Sequence, residues 1–227
     1  PHLVANLADA VGSAHAFSSD AALFAHLKAT DNGPFRQYVL KAPWSSSGRG
    51  LRYVDMQREG ITPHLQGWVA NVIAKQGYIM AEPYYNKVFD FGMEFHAHKN
   101  GSVDYLGLSV FHTVNGAYAG NLLANESDKQ ELVSRYVSSS VLKTLCNAVK
   151  HFMPAQLQGI YAGPFGVDMM IVGEGKIHPC VELNLRRTMG HVALSLSAKQ
   201  HSRRSMQIAY KNGRYSLHIN RLSHQSI

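Results

Sequence analysis

Four residues late in the chain have the types and spacing to hold a cation and an anion side by side. Asp168 sits in one apolar run, and Glu182, Asn184 and Arg186 alternate along the next. Side chains two apart on a strand share a face. Val167, Met169, Ile171, Ile177, Val181, Leu183 and Leu185 then fall on one face, with Asp168, His178, Cys180, Glu182, Asn184 and Arg186 on the other. A turn at Gly173-Glu174-Gly175 would set Val172 against Lys176 and Asp168 against Cys180, leaving Asp168 diagonal to Glu182 and Asn184 one step further on. Two carboxylates and a carboxamide are hard oxygen donors suited to Mg2+, with Mn2+ as an alternative, and such ions often share their coordination with nucleotide phosphates. Arg186 can grip a phosphate or carboxylate in bidentate fashion. An ordinary amphipathic hairpin whose polar face meets water shows the same alternation, so a phosphate-binding partner is needed elsewhere in the chain.

Ser45-Ser46-Ser47-Gly48-Arg49-Gly50 offers backbone N-H groups, hydroxyls and permissive glycines, and Lys41 ends the run that feeds it. No Gly-Lys-Ser/Thr opens a helix here, so this is a loop between strands and not a Walker loop. Arg49, a guanidinium between two glycines, is placed to cover phosphate. Trp44 and Tyr53 flank the loop and suit either stacking on a ligand or packing.

The elements that must position these residues follow from periodicity and punctuation. Ser18-Ser19-Asp20 caps a helix that ends before Asp31, and Phe35 to Lys41 and Leu51 to Val54 read as strands around the loop. Thr62-Pro63 starts a second helix and Gly77 stops it. Strands are expected at 78–85, 88–98 and 103–113, the last two joined by a Lys99-Asn100-Gly101-Ser102 turn. Ser127 with Gln130 has capping-box spacing and predicts a helix over 127–152, with Pro154 just beyond it. Strands at 167–172 and 176–184, a helix at 190–199 and a hairpin at Asn212-Gly213 complete the reading.

The chain has 227 residues, 45% of them apolar and 16% charged, enough for one substantial domain or two small ones. Its 22 Lys+Arg against 15 Asp+Glu give a formal charge of +7. Only Arg186-Arg187 and Arg203-Arg204 are adjacent basic pairs, so the excess reads as affinity for a small phosphorylated ligand, with no nucleic acid as partner. No apolar stretch reaches the about 20 residues of a membrane helix, and two distant cysteines without a leader indicate no membrane and a cytoplasmic setting.

In content and order, Val39-Leu40-Lys41-Ala42-Pro43 with Ser45 to Gly50, Ile79 to Tyr84, Gly166-Val167-Asp168 and Val181-Glu182-Leu183-Asn184-Leu185-Arg186 resemble the ATP-grasp superfamily across residues 18–199. The resemblance implies an α+β ATP-grasp fold: two α+β subdomains, 18–80 and 81–227, whose antiparallel sheets clasp the nucleotide. It implies that ATP and Mg2+ are the cofactors, with Lys41 on the phosphates and Ser45, Ser46, Ser47, Gly48, Arg49 and Gly50 closing over them. Glu82, Pro83, Tyr84 and Tyr85 would be the hinge strand at adenine and ribose. Asp168, Glu182 and Asn184 would bind one or two metal ions, with Arg186 near the γ-phosphate or an acyl phosphate. The implied activity is a ligase that activates a small-molecule carboxylate for attack by an amine or thiol. A phosphotransferase acting on a hydroxyl and a non-catalytic ATP-binding module are the alternatives. Family members usually carry a further N-terminal domain, and no Lys or Arg precedes Lys28 here, so the chain looks like an ATP-grasp region without that front.

Asn86, Lys87, Asp90 and Glu94 follow the hinge and are placed to reach ribose or a second substrate. His96 and His98, two apart on a strand, form a weaker candidate for a transition metal. His112, His178, His191 and Cys180 are read as structural residues.

Overall fold

The computed structural model describes residues 10–29, 36–45, 50–114, 117–198 and 202–222. The chain divides into two compact units, the smaller spanning Gly12–Asn86 and the larger running from Lys87 onward with Ala10 and Val11. Each is a layered α+β unit with an antiparallel sheet.

The smaller unit contains β1 (His15–Phe17), α1 (Asp20–Ala29), β2 (Gln37–Lys41), β3 (Leu51–Asp55), α2 (Pro63–Gln76) and β4 (Ile79–Pro83), with sheet order β1-β4-β2-β3. Leu23 and Leu27 of α1 and Val69 of α2 are wholly buried against Leu40, Ile79 and Ala81 of the sheet. Both helix signals act as expected: Ser19 Oγ accepts from Ala22 N at 3.4 Å, and Thr62 Oγ1 accepts from Leu65 N at 3.2 Å. Gly77, at φ 86°, closes α2 by donating to the Ile73 carbonyl at 2.8 Å. The unit boundary falls after Asn86, six residues past the expected 80/81 division. The cause is β4, which pairs with β1 and β2, and Tyr84 N, which donates to the Gln37 carbonyl at 2.8 Å.

The larger unit contains β5 (Lys87–Ala97), β6 (Val103–Val114), β7 (Ala117–Leu123), α3 (Glu126–Ser134), α4 (Ser139–Leu157), β8 (Gly163–Val172), β9 (Ile177–Asn184), α5 (Met189–Ser197), β10 (Arg204–Lys211) and β11 (Arg214–Arg221). The sheet order is β11-β10-β7-β6-β5-β8-β9. Odd residues of β5 and β8 stack pairwise across the strands: Phe91 opposite Met169, Met93 opposite Val167, Phe95 opposite Phe165. These join Leu145, Val149 and Met153 of α4 in the main core. The even residues turn the other way, toward α5. Strands β1 and β7 were not legible in the sequence, since β1 is three residues long and Ala117–Leu123 lacks strong alternation.

The single helix expected over 127–152 is two helices. Asn125 takes the first cap: its Oδ1 accepts from Asp128 N at 2.8 Å and from the Ser127 hydroxyl at 2.7 Å, so the Ser127/Gln130 box does not form. The chain breaks after Ser134, where Tyr136 stacks on Phe89 at 5.1 Å and Val137 is buried. Ser138 then caps α4 through Val141 N at 3.4 Å. Pro154 lies inside α4, not beyond it. Proline forfeits its N-H bond and crowds the carbonyl one turn back, but buried Met153 and Leu157 hold the last turn to the core.

Asn125→Ala should therefore destabilise the protein by about 1 kcal/mol, and Ser127→Ala by no more than a few tenths. Chemical denaturation of the two variants measures this. Equal losses would place the cap at Ser127.

Candidate functional site

The acidic face of the larger unit is assembled by strand register. Near the turn, β8 and β9 pair as their lengths predict: Ile171 opposite Ile177, Met170 opposite His178, and Val172 N bonded to the Lys176 carbonyl at 2.9 Å. The register then slips by two residues, so Asp168 faces Glu182, not Cys180. Pro179 sits within the slip, and its missing N-H cannot complete a rung. The slip makes the two carboxylates direct neighbours and sets Asn184 against Gly166. A two-residue slip leaves each side chain on its own face, so Leu183 still shares the face of its partner Val167, but β9 is the edge strand and Leu183 and Leu185 are 41% and 39% exposed.

Asn184 links the acid to the base. Its Nδ2 donates to Asp168 Oδ2 at 3.1 Å, and its Oδ1 accepts from Arg186 Nη2 at 2.7 Å. Burial, then the charges of Glu182 and Glu94, push the Asp168 carboxyl up to about 7, against the smaller opposing effects of Asn184 and Arg186. Arg186 offsets these acids only in part, and the set is all oxygen. That chemistry fits a hard divalent cation. The two carboxylates would be its principal ligands, because Asn184 Oδ1 already serves Arg186. Among the described residues, no group of three or more His, Cys, Asp or Glu side chains is gathered as a metal site.

Glu94 is not a surface contact for ribose or substrate, as its position after the hinge suggested. It is 1% exposed and faces α5 from β5. Its Oε2 lies 2.9 Å from His191 Nδ1 and accepts the Thr188 hydroxyl at 2.8 Å, while His191 Nε2 donates to the Phe95 carbonyl at 3.1 Å. Burial pulls the His191 imidazole down, but the Glu94 hydrogen bond and charge outweigh it and raise it above its ordinary value. Room for these acids comes from glycines. Gly92 stands opposite Asp168 and Gly166 opposite Glu94. A Cβ on Gly166 would lie 2.6 Å from Glu94 Oε2, and one on Gly190 only 1.8 Å from Glu94 Oε1. The alternation Asp90-Phe91-Gly92-Met93-Glu94 carried part of this signal, but the pairing with His191 spans nearly a hundred residues.

Asp90, expected at the nucleotide, is held within its own unit by the Lys87 ammonium and by the Thr113 hydroxyl at 3.0 Å. The His96 and His98 rings meet tilted by 52° with centroids 4.8 Å apart, and His98 Nε2 lies 2.8 Å from Asp104 Oδ2.

In the smaller unit, β2 and β3 form the expected strand-loop-strand, and the Ala42 N-H donates to the Gly50 carbonyl at 2.8 Å across the loop's base. Ser45 packs so closely on Gly50 that a Cβ there would lie 2.3 Å from the Ser45 Cβ. Ser46, Ser47, Gly48 and Arg49 lie outside the described residues. Lys41 ends β2 with its Nζ 2.7 Å from Glu82 Oε2 on β4. The register explains the pairing, since Lys41 faces Met80 and Val39 faces Glu82, a diagonal on one face. Pro83 ends β4, Tyr85 follows the strand, and Tyr84 meets Tyr53 edge-on at 5.8 Å, both rings substantially exposed. Trp44 is 77% exposed, with its backbone N-H donated to Gln76 Oε1 at 2.7 Å.

Two outcomes follow from this geometry. Gly190→Ala should cost about 1–3 kcal/mol or more by overpacking Glu94, as read from the denaturation midpoint; wild-type stability would mean that α5 does not rest on Glu94. Asp168, near 3.9 when unfolded and about 7 when folded, binds a proton only in the folded chain between those values. Without divalent cation, stability should fall as pH rises from about 4 to about 7. Asp168→Asn should remove that part of the slope, and an unchanged profile would exclude the raised carboxyl.

No protein-family model matches the sequence, and no curated protein matches it. Solved structures do resemble it in fold. Over 88% of this chain it superposes on N5-carboxyaminoimidazole synthetase from Staphylococcus aureus complexed with ADP, with a TM-score of 0.55, 12% identity and 52% of that chain covered. Over 88% it also superposes on the biotin carboxylase domain of the Hydrogenobacter thermophilus 2-oxoglutarate carboxylase, in complex with MgADP, ADP and bicarbonate, with a TM-score of 0.56, 13% identity and 46% of that chain covered. Pyruvate carboxylase from Rhizobium etli, solved with acetyl coenzyme-A, matches 86% of this chain and 16% of its own at a TM-score of 0.53 and 18% identity. The chain thus spans about half the length of the first two. Its two antiparallel sheets with their helices, in this order and superposing on these proteins, give the chain the ATP-grasp fold.

Proposed function

We propose that this chain is the ATP-binding part of a Mg2+-dependent ligase that activates a carboxylate as an acyl phosphate for attack by an amine or thiol. The observation that carries the reading is the Asp168/Glu182 pair, brought face to face by a register slip and joined to Arg186 through Asn184. Acids held this close, one of them pushed up to about 7, are an unfavourable arrangement in isolation and a favourable one around a cation. The ADP and MgADP bound to the S. aureus and H. thermophilus proteins support a nucleotide as the ligand.

In this reading Asp168 and Glu182, assisted by Asn184, hold Mg2+, which supplies neutralisation of phosphate charge. Arg186 is oriented by its bond to Asn184 Oδ1, leaving further guanidinium N-H groups for a phosphoryl or acyl phosphate oxygen. Lys41 meets the nucleotide phosphates, with Glu82 keeping its ammonium in place. Ser45, Gly50 and the loop between them supply backbone donors. Transfer to a carboxylate then needs positioning and charge stabilisation, not a nucleophilic side chain. No helix among the described residues is long and apolar enough to cross a membrane.

Calorimetry of ATP and ADP, with and without Mg2+, tests the reading. Wild type should bind MgATP, Glu182→Gln should lose the metal-dependent part, and Lys41→Ala should weaken binding at least about tenfold, consistent with removal of a charge-assisted contact. Full metal-dependent affinity in Glu182→Gln would refute the acidic assignment, and unchanged affinity in Lys41→Ala would refute the phosphate contact. ADP release without a condensed product would reassign the chemistry to phosphotransfer.

A further inference from the structure

The β10–β11 hairpin carries features that the nucleotide site does not use. Asn212 and Gly213, at φ 53° and 76°, form its two-residue turn, and the strands stay in register from Lys211/Arg214 down to Arg204/Arg221. Both of these opposed charged pairs have the same sign. Like charges directly across an antiparallel ladder are destabilising, yet residues 204–222 contain no Asp or Glu. Among the described residues no carboxylate pairs with Arg204, Lys211, Arg214 or Arg221, and the buried Arg204 Nε makes no hydrogen bond. The neighbouring Arg203, just outside the hairpin, does find acids, Asp128 at 3.3 Å and Glu131 at 3.0 Å.

The hairpin's two faces differ. Tyr210 and Tyr215 lie opposite each other with ring centroids 4.7 Å apart, and they are 65% and 77% exposed. Leu217 extends the same face and is also exposed. Nearer the sheet, Met206 and Ile219 are packed with α5, and Arg204 and Arg221 end the row. The opposite face carries Lys211 and Arg214 at the tip, then polar Ser216, Gln207 and His218. A second copy of β11 laid antiparallel in register would set Arg214 against Arg221 and multiply the repulsion, which disfavours self-pairing along this edge. Polyphosphate with exposed ring faces satisfies both features: cations meet phosphates and the tyrosine pair meets bases. We infer that the β10–β11 hairpin is a docking surface for single-stranded nucleic acid, with Tyr210 and Tyr215 as the stacking platform, and with Lys211 and Arg214 at the tip and the exposed Arg221 as the phosphate contacts. The concentration of charge is invisible along the sequence, because the two pairs are separated by 2 and 16 intervening residues and meet only through the register.

The test is fluorescence anisotropy of a labelled 20-nucleotide oligo(dT) with the whole chain in saturating MgATP, so that the proposed nucleotide site contributes nothing. Binding should weaken steeply as salt rises, and Lys211→Gln/Arg214→Gln should flatten that dependence. Tyr210→Ala/Tyr215→Ala should weaken oligonucleotide binding at least about fivefold, while leaving affinity for heparin, a polyanion without bases, unchanged. Both double variants change exposed side chains, and circular dichroism verifies their fold. No salt-dependent binding, equal oligonucleotide affinity in the tyrosine variant, or a parallel loss of heparin binding would each overturn the inference. So would self-association of the chain, seen by sedimentation, that is lost in the tyrosine variant while the oligonucleotide stays unbound. A failure here leaves the Asp168/Glu182 reading intact, since the hairpin contributes nothing to it.

Discussion

Glu94 is the constraint around which the larger unit is built. A carboxylate with 1% exposure is tolerated only if its charge is matched and its oxygens are bonded. His191 and Thr188 do both, and both belong to the start of α5. The acid therefore determines where α5 begins and how closely it lies on the sheet. Gly190 and Gly166 are consequences: each stands where a methyl group would collide with the carboxylate. Thr188 has a second duty, capping α5 through His191 N, so helix start and ion pair are one structure.

The same sheet face explains the candidate site. Glu94 contributes to the rise of Asp168, after burial and Glu182, so the buried pair and the acidic pair are electrostatically connected. A cation near Asp168 and Glu182 would relieve the repulsion that these residues exert without one. Arg186 occupies the loop between β9 and α5, whose far end is anchored at Thr188. The guanidinium is held by Asn184, while the loop that carries it is tied down at the helix start. In the smaller unit a comparable economy sets Lys41 beside Glu82, where one diagonal of the β2–β4 ladder pairs both ionic groups of the expected nucleotide cradle.

The hairpin shows the reverse arrangement. The buried Glu94 is matched by His191 and Thr188 within the fold, whereas the cations of β10 and β11 oppose one another and meet no acid among the described residues. Burial accounts for the difference. A buried charge must be matched within the fold, while exposed like charges cost little in water and remain available to a partner.

Sequence alone determined the features that depend on near neighbours. The caps at Ser19 and Thr62, the stop at Gly77, the turn at Asn212-Gly213 and the alternation of β5, β6 and β8 are local events, and residues within a few positions decide them. The types and order of Lys41, Glu82, Asp168, Glu182, Asn184 and Arg186 were also legible, and with them the ATP-grasp resemblance. The tertiary structure decided what depends on distant partners. The expected single helix became two because Tyr136 stacks on Phe89 of β5 and Val137 enters the core. Asp168 met Glu182 because the ladder slips around Pro179, and strict alternation cannot anticipate a two-residue shift. Glu94 found His191 across nearly a hundred residues. Periodicity records which face a side chain takes; which partner it meets there depends on register and packing, and these are properties of the folded chain.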